Sequence, residues 1–461
     1  MSDIVCISPI DGKELVRKTA ASDVAVDAAF AAARVAQKAW RQVPLAERKA
    51  MVLKFMDAML AMNQEIVPEL AQQMGRPVRY GGEFGPFEAR VRYMAEIAEE
   101  SLAPMVPHDA KAGFRRMIKR EPVGVVFVVA PWNYPYITAV NTIAPALIAG
   151  NAVILKHAAQ TILVGDRFQM AMDRAGMPKG LFTNLVMTHD QTTRVLGAGM
   201  ADFCNFTGSV AGGRAIERAA AGTFTGLGLE LGGKDPAYVR EDANLAHAIE
   251  NLVDGAMYNA GQCCCGIERV YVHESHYDAF VKGFVELTGK YVLGNPLDET
   301  TTLGPMANVR FADWVRKQNA EAVAAGAVAH LDERAFPASK AGTAYLAPQV
   351  LTNVDHSMSV MKDESFGPTV GIMKVKDDAE AIRLMNDSPY GLTAAIWTSD
   401  VDAAERIGDA IETGTVFMNR CDYLDPGLTW TGVKDTGRGT ALSRLGYDAV
   451  TQPKSFHLRS I

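Results

Sequence analysis

After Pro122 the chain alternates continuous apolar runs with helical stretches, and this alternation limits its fold more than any other feature. Residues 123–129 are a β-branched apolar run, followed by a helical stretch at 138–149 and a short apolar run at 152–155. A helix at 161–174, a strand at 182–186, a short helix near Gln191, a strand at 203–206 and a helix after Gly208 continue the pattern. Strands that are apolar on every residue have no face to offer water. They predict a parallel sheet covered by helices on both sides. Such sheets bind ligands beyond the carboxyl ends of their strands, so the loops at Pro131, Lys156 and Gly208 are the expected seats of chemistry. A second α/β series runs from about 235 to 419, with a helix at 245–258, a strand at 269–273 and a helix at 276–290. The first hundred residues read as helices: Ser22 caps 23–40, Met51, Val52, Phe55, Met59 and Leu60 lie at helical spacing in 47–62, and 88–100 is a third.

At roughly 150 residues per domain, 461 residues suggest about three domains. The chain carries 46 basic and 53 acidic residues, a net charge of −7, which argues against a polyanion binder and hence against nucleic acid. The short basic run Arg115, Arg116, Lys119 and Arg120 reads as a solvated strand face. The longest apolar run is far below the roughly 20 residues that span a membrane. The N-terminus lacks a charged-then-apolar leader pattern. Six cysteines, three of them consecutive, do not read as a disulfide framework, so a reducing, cytoplasmic setting is expected.

The cysteines are also the first candidate for chemistry. Gly261-Gln262-Cys263-Cys264-Cys265 falls on a turn between a helix and a strand. A thiolate is a strong nucleophile in a partly exposed, electropositive or base-assisted setting, whereas buried thiols are inert packing. The triplet alone leaves both readings open. A metal site is disfavoured, because adjacent cysteines do not easily turn their sulfurs to one tetrahedral centre and no CxxC or histidine cluster accompanies them. In Glu230-Leu231-Gly232-Gly233-Lys234, a carboxylate at a strand end is placed to serve as general base, or is simply a loop charge. In Pro131-Trp132-Asn133-Tyr134-Pro135 two prolines stiffen a loop whose Asn amide suits an oxyanion hole or a helix cap. Phe206-Thr207-Gly208-Ser209 is a strand, turn and helix start of the kind that meets phosphate, without the usual GxGxxG spacing. Glu364-Ser365-Phe366-Gly367-Pro368 is a further acidic turn that says nothing alone.

These five motifs in this order, with Tyr390-Gly391-Leu392-Thr393-Ala394 later in the chain, resemble the aldehyde dehydrogenase superfamily over nearly the whole length. The resemblance implies an α/β architecture in three parts. These are a Rossmann-like NAD(P)-binding domain (1–100 and 123–231), an α/β catalytic domain (232–430) and a small β oligomerisation arm (101–122 and 431–461). It implies Cys264 as nucleophile, with Cys263 and Cys265 lining the site, Glu230 as base for the hydrolytic water, and Asn133 with the Cys264 backbone N–H as oxyanion hole. Lys156 and Glu364 are implied as ribose contacts, Phe366 as the aromatic beside the nicotinamide, and Gly208 and Ser209 as the phosphate turn. The implied reaction is oxidation of an aldehyde to an acid through a thiohemiacetal and thioester, with NAD or NADP, no metal, and a homodimer or homotetramer as assembly. A catalytically silent scaffold would be expected to have lost Cys264, Glu230 or Asn133. An enzyme that transfers the acyl group to coenzyme A is disfavoured by Glu230.

Three features depart from the family pattern. Ala159 stands where NAD-preferring relatives carry Glu, which removes a repulsion against a 2′-phosphate but leaves only His157 nearby to pair it. Thr142 and Ala441 replace a Lys–Glu pair that relays protons in some members. Trp430-Thr431-Gly432 replaces Phe-Gly-Gly. Tyr134, Tyr258 and Trp430 would line an aromatic tunnel suited to an apolar or aromatic aldehyde. Arg420 at its mouth would instead pair the carboxylate of a short semialdehyde such as succinate semialdehyde, although an exposed arginine is the commoner case.

Overall fold

The computed structural model describes residues 2–421 and 423–460; positions 1, 422 and 461, which belong to the expected domain segments, lie outside the described residues. The apolar alternation becomes a six-stranded sheet in the order Gly437–Arg438, Gly226–Glu230, Phe203–Thr207, Val125–Val129, Ala152–Lys156, Phe182–Asn184. Its last five strands pair in parallel, and every residue of Val125–Val129 and Ala152–Lys156 is buried. The chain moves from Val125–Val129 outward to one side, then returns to lay Phe203–Thr207 on the other. The carboxyl ends of these two strands therefore flank a topological switch point. The Asn133 loop leaves from one of them and the Gly208 turn from the other.

Helices seal this sheet. Pro135–Ala149 is buried along almost its whole length. Asp23–Trp40, capped by Ser22 accepting from the Ala25 N–H, packs Val26, Phe30, Ala33, Gln37 and Trp40 inward at helical spacing. A seven-stranded sheet follows, in the order Val328–Ala329, Gln349–Thr352, Thr369–Val375, Ile267–His273, Asp235–Val239, Thr393–Trp397, Thr415–Met418, parallel except at its first edge. Only Leu231–Lys234 separate the end of one sheet's strand at Glu230 from the start of the other's at Asp235. The carboxyl edge of the first sheet thus faces the amino edge of the second.

One feature departs from the expected helices of the first hundred residues. Asp3–Ile7 and Glu14–Thr19 form an antiparallel hairpin. Their mixed burial lacks the clean two-residue alternation by which a strand is recognised. Asn63–Met74 is a helix despite Pro68 in its interior. The Phe114–Pro122 strand, which carries the basic run, pairs along its length with Thr451–Arg459 in a two-stranded ribbon. Arg120 pairs with Asp448, Arg116 with Asp109 at 3.0 Å, and Lys119 lies over the Phe456 ring. Residues 431–450 are not part of that ribbon. Gly437–Arg438 joins the edge of the six-stranded sheet opposite Leu229 and Glu230, and Leu445–Ala449 is a short helix. Among the described residues no helix is long and apolar enough to cross a membrane.

Candidate active site

The cysteine turn is built on strained backbone. Asn259, Ala260 and Gly261 take φ of 54°, 54° and 68° in succession. At Gly261 a Cβ would lie 2.2 Å from the Gly367 carbonyl oxygen, so only glycine fits that close approach. Gln262, fully enclosed, locks the turn by donating to the Asn259 carbonyl at 3.1 Å and accepting from the Ala307 N–H at 2.8 Å. Cys263 and Cys264 emerge half-buried, while Cys265 is buried. Their three sulfurs lie within 4.8 Å of one another, with Cys263 and Cys265 at 3.5 Å. The geometric objection to a common sulfur centre is therefore corrected: the three adjacent side chains do bring their sulfurs together. No histidine or further cysteine among the described residues completes a tetrahedral set.

The cluster shares its charge. Thiol donation from Cys264 and Cys265 draws Cys263 well below the ordinary thiol range, and the same contact with Cys263 raises both neighbours. The sulfurs act as one coupled group that holds its first negative charge among them. Tyr134 also donates toward Cys263.

Glu230 ends its strand half-buried, accepting from the Thr207 hydroxyl at 3.1 Å. Burial raises its carboxyl to about 7 against the lowering pull of Thr207 and of the Arg90 charge. The loop beyond it touches the cysteine turn: a Cβ at Gly233 would stand 2.8 Å from the Cys264 carbonyl oxygen. A carboxyl poised near neutrality is suited to taking a proton from water.

Asn133 is 6% exposed, and its side-chain amide engages no described residue. Its backbone carbonyl is held instead, by Arg76 Nη2 at 2.5 Å and Asn259 Nδ2 at 3.4 Å, and Asn259 Nδ2 also donates to Gln262 O at 3.2 Å. One set of bonds therefore fixes the Asn133 loop against the cysteine turn. Arg76 is anchored by a buried ion pair to Glu83 at 2.8 Å and stacks over the Tyr134 ring. Glu83 in turn accepts from the Tyr136 and Ile137 N–H groups at the start of the Pro135–Ala149 helix. Replacing Asn133 with alanine should lower kcat about 10²–10³-fold with little change in KM, as measured in steady state. An unchanged kcat would remove the amide from the chemistry.

The acidic turn at Glu364 is pinned by charges that sequence reading passed over. Lys234, fully buried, pairs with Glu268 at 2.5 Å and donates to Ser365 Oγ at 2.9 Å. Glu268 accepts from the Ser365 and Phe366 N–H groups at 2.8 Å each. Phe366, at φ 51°, meets Trp132 edge to face at 5.5 Å. Glu364 accepts from the Gly233 N–H at 2.9 Å, and burial raises its carboxyl to about 8. Glu268→Ala, which strands a buried ammonium, should cost about 3–5 kcal/mol of stability, read from the midpoint of denaturant unfolding. An unshifted midpoint would show that the pair adds nothing.

Lys156 is 7% exposed, lowered to about 8 by burial, and has no ion-pair partner among the described residues. Ser209 caps the eleven-residue helix Val210–Ala220, accepting from the Gly212 N–H, and the Gly208 N–H donates to the Glu230 carbonyl oxygen at 3.1 Å. An unmatched buried cation together with a helix start at a switch point fits ribose hydroxyls and a pyrophosphate. The residues present therefore fit a nicotinamide dinucleotide. Ala159 is exposed and leaves no carboxylate beside Lys156. His157 faces inward to Pro135 O and the Thr161 hydroxyl, and burial lowers it to about 4. It is a neutral structural group, so the 2′-phosphate partner considered for it in the sequence is withdrawn.

Of the expected tunnel residues, Trp430 is buried in one apolar cluster with Cys265, Leu392, Ala441 and Leu442, which Cys263 and Cys264 border. Its backbone pairs with Ala441 in both directions. Tyr258 packs on Tyr80 at 4.7 Å. Arg420 is exposed and stacked 3.6 Å over the Tyr423 ring, a surface cation with no described contact to the cysteines. Arg76, Glu83, Arg90, Asn259 and Glu268 were missed because charged and amide side chains read as exposed from sequence. The one available signal was their placement in or beside Gly-rich or apolar stretches.

Comparison with known proteins gives a uniform picture. Residues 1–456 match the profile described as the aldehyde dehydrogenase family. The chain is 34% identical to the NADP-dependent succinate-semialdehyde dehydrogenase of Mycolicibacterium paratuberculosis, over 99% of this chain and 97% of that one. It is also 34% identical to an aldehyde dehydrogenase of Emericella nidulans, over 98% and 91%. Among solved structures it resembles the NAD-dependent aldehyde dehydrogenase of Sinorhizobium meliloti with a TM-score of 0.94, at 32% identity over 99% of this chain and 92% of that one. It likewise resembles the succinate-semialdehyde dehydrogenase of Burkholderia pseudomallei with a TM-score of 0.95, at 28% identity over 100% and 95%.

Proposed function

Because the chain belongs to the aldehyde dehydrogenase family, whose reaction is NAD(P)-dependent oxidation of an aldehyde, we propose that Cys264, Asn133 and Glu230 carry that reaction here. The observation that carries the proposal is Asn133, whose backbone carbonyl is held by Arg76 and Asn259 against the cysteine turn while its side-chain amide engages no described residue. An amide that forms no hydrogen bond within the described residues is free to donate to a ligand. Cys264 passes its thiol proton to the ionised Cys263 sulfur to which it donates, its thiolate attacks the aldehyde carbon, and the carbonyl electron pair moves onto oxygen. Asn133 Nδ2 and the Cys264 N–H, which donates to no described acceptor, hold that oxyanion. NAD(P), when bound, accepts the hydride that leaves the tetrahedral carbon. Lys156, the Gly208–Ser209 turn, Glu364 and Phe366 hold the cofactor's riboses, phosphates and nicotinamide. Glu230 then takes a proton from water as the water oxygen attacks the thioester, and the Cys264 thiolate leaves as the acid forms.

The substrate that fits best is a short semialdehyde. Curated relatives act on succinate semialdehyde, and a buried cation lies beside the catalytic residues. An apolar or aromatic aldehyde is the second reading, favoured by Trp430 against the cysteines. The protein works in a reducing cytoplasm as a dimer or tetramer joined through the Phe114–Pro122 and Thr451–Arg459 ribbon. The test is absorbance of reduced nicotinamide with succinate semialdehyde, butanal and benzaldehyde, each with NAD and with NADP. Reduction with at least one aldehyde is expected. No reduction with any, while both cofactors bind, would leave a family fold without the activity.

A further inference from the structure

Arg90 lies on the helix Phe84–Glu96, is only 4% exposed, and forms no ion pair among the described residues. Its Nη1 donates to the Ile137 carbonyl at 3.0 Å, its Nε has no partner, and no carboxylate lies within ion-pair distance among the described residues. The nearby acid is already committed, since Glu83 pairs with Arg76 and accepts from the Tyr136 and Ile137 N–H groups. The guanidinium charge acts on Glu230, Cys264 and Cys265. One helical turn beyond Ile137, on the same face, Asn141 is 2% exposed with its side-chain oxygen unpartnered and its amide nitrogen engaging no described residue. Arg90 therefore reaches, and Asn141 lies on, the helix Pro135–Ala149 that begins two residues after Asn133, and both side chains are buried and under-used. The guanidinium binds a carboxylate in bidentate fashion, and the Asn141 amide nitrogen, not its orphaned oxygen, is a second donor to one.

We propose that Arg90, assisted by Asn141, binds the carboxylate of an ω-carboxy aldehyde while its aldehyde end lies at Cys264. This makes Arg90, and not the exposed Arg420, the residue that selects a semialdehyde. The proposal rests on the function argued above and assigns its substrate specificity to the helix Phe84–Glu96. The chain of the substrate spans from the guanidinium to the sulfur, so a neutral aldehyde of the same length loses the anchor but keeps the chemistry.

The test compares succinate semialdehyde with butanal in the wild type, Arg90→Gln, Arg90→Lys and Arg420→Gln. Compared at about pH 8.5, where Glu230 is largely ionised, Arg90→Gln should lower kcat/KM for succinate semialdehyde, mainly through KM, at least about 100-fold more than it lowers that for butanal. Arg90→Lys, which keeps the charge and loses the fork, should fall between, and Arg420→Gln should match the wild type. An equal loss for both aldehydes would make Arg90 a structural or Glu230-tuning group and overturn the proposal. So would a wild type that prefers butanal. Calorimetric titration with succinate, the dicarboxylate product, reads the same site without turnover. Binding to the wild type that disappears in Arg90→Gln supports the assignment even if no aldehyde is oxidised, which would count against the proposed function alone. Equal succinate binding by both proteins, or none by the wild type, overturns the assignment.

Discussion

Cys264→Ala is expected to abolish aldehyde oxidation, with kcat reduced on the order of 10⁴-fold or more, while NAD(P) still binds. The three sulfurs lie within 4.8 Å, so a neighbour is close enough to invite substitution for the lost nucleophile. Geometry argues against that rescue. Cys265 is buried with Trp430 and Leu392, and Cys263 is occupied by Tyr134 and Cys265. The Asn133 loop is fixed to the turn through Asn259, and the oxyanion donors are set for one attacking position. Displacing the attack by one residue turns the sulfur away from them, and a misplacement of about 1 Å is worth about 10² in rate. Cofactor binding survives because Lys156 and the helix start at Ser209 lie on the other sheet. Fluorescence titration with NADH and NADPH, alongside steady-state rates, checks both halves. Residual turnover within tenfold of the wild type would pass the nucleophile's role to Cys263 or Cys265.

Glu230→Gln is expected to leave the first hydride transfer intact and slow deacylation about 10²–10⁴-fold, giving a burst of one equivalent followed by a stall. The pH dependence follows from its environment. Burial raises the carboxyl to about 7, so the base is ionised above that pH and protonated below it. Steady-state rate in the wild type should therefore fall as pH drops through about 7. In Glu230→Gln that ascending limb should vanish, because the amide does not titrate there. Stopped-flow absorbance across pH 5.5–8.5 would read both, within roughly the range that carboxyl titration covers. A wild-type limb that persists in the variant would belong to the cysteine cluster.

How much of this was legible in the sequence depends on what each residue had to reveal. The parallel sheet was legible because Val125–Val129 and Ala152–Lys156 are apolar at every position, and two-sided burial leaves that signature. The loops at Pro131, Lys156 and Gly208 followed from it, since ligand sites lie at strand carboxyl ends. The identity of Cys264 among three cysteines did not follow from spacing and came only from resemblance. The convergence of their sulfurs was invisible, because it depends on side-chain directions in a turn that follows positive φ at Asn259 and Ala260, which non-glycine residues rarely adopt. The frame of buried charges, Arg76 with Glu83 and Lys234 with Glu268, was hidden for a different reason. A charged residue looks solvated until its partner, here seven or 34 positions away, is seen beside it. Arg90 belongs to the same blind spot, except that its partner is not in the chain.

The most direct test of the mechanism is peptide mass mapping of Glu230→Gln quenched after one turnover with aldehyde and cofactor. The account predicts an acyl group on Cys264 alone, one per chain, with Cys263 and Cys265 unmodified. An acyl group on either neighbour, or none at all after cofactor has been reduced, would contradict it.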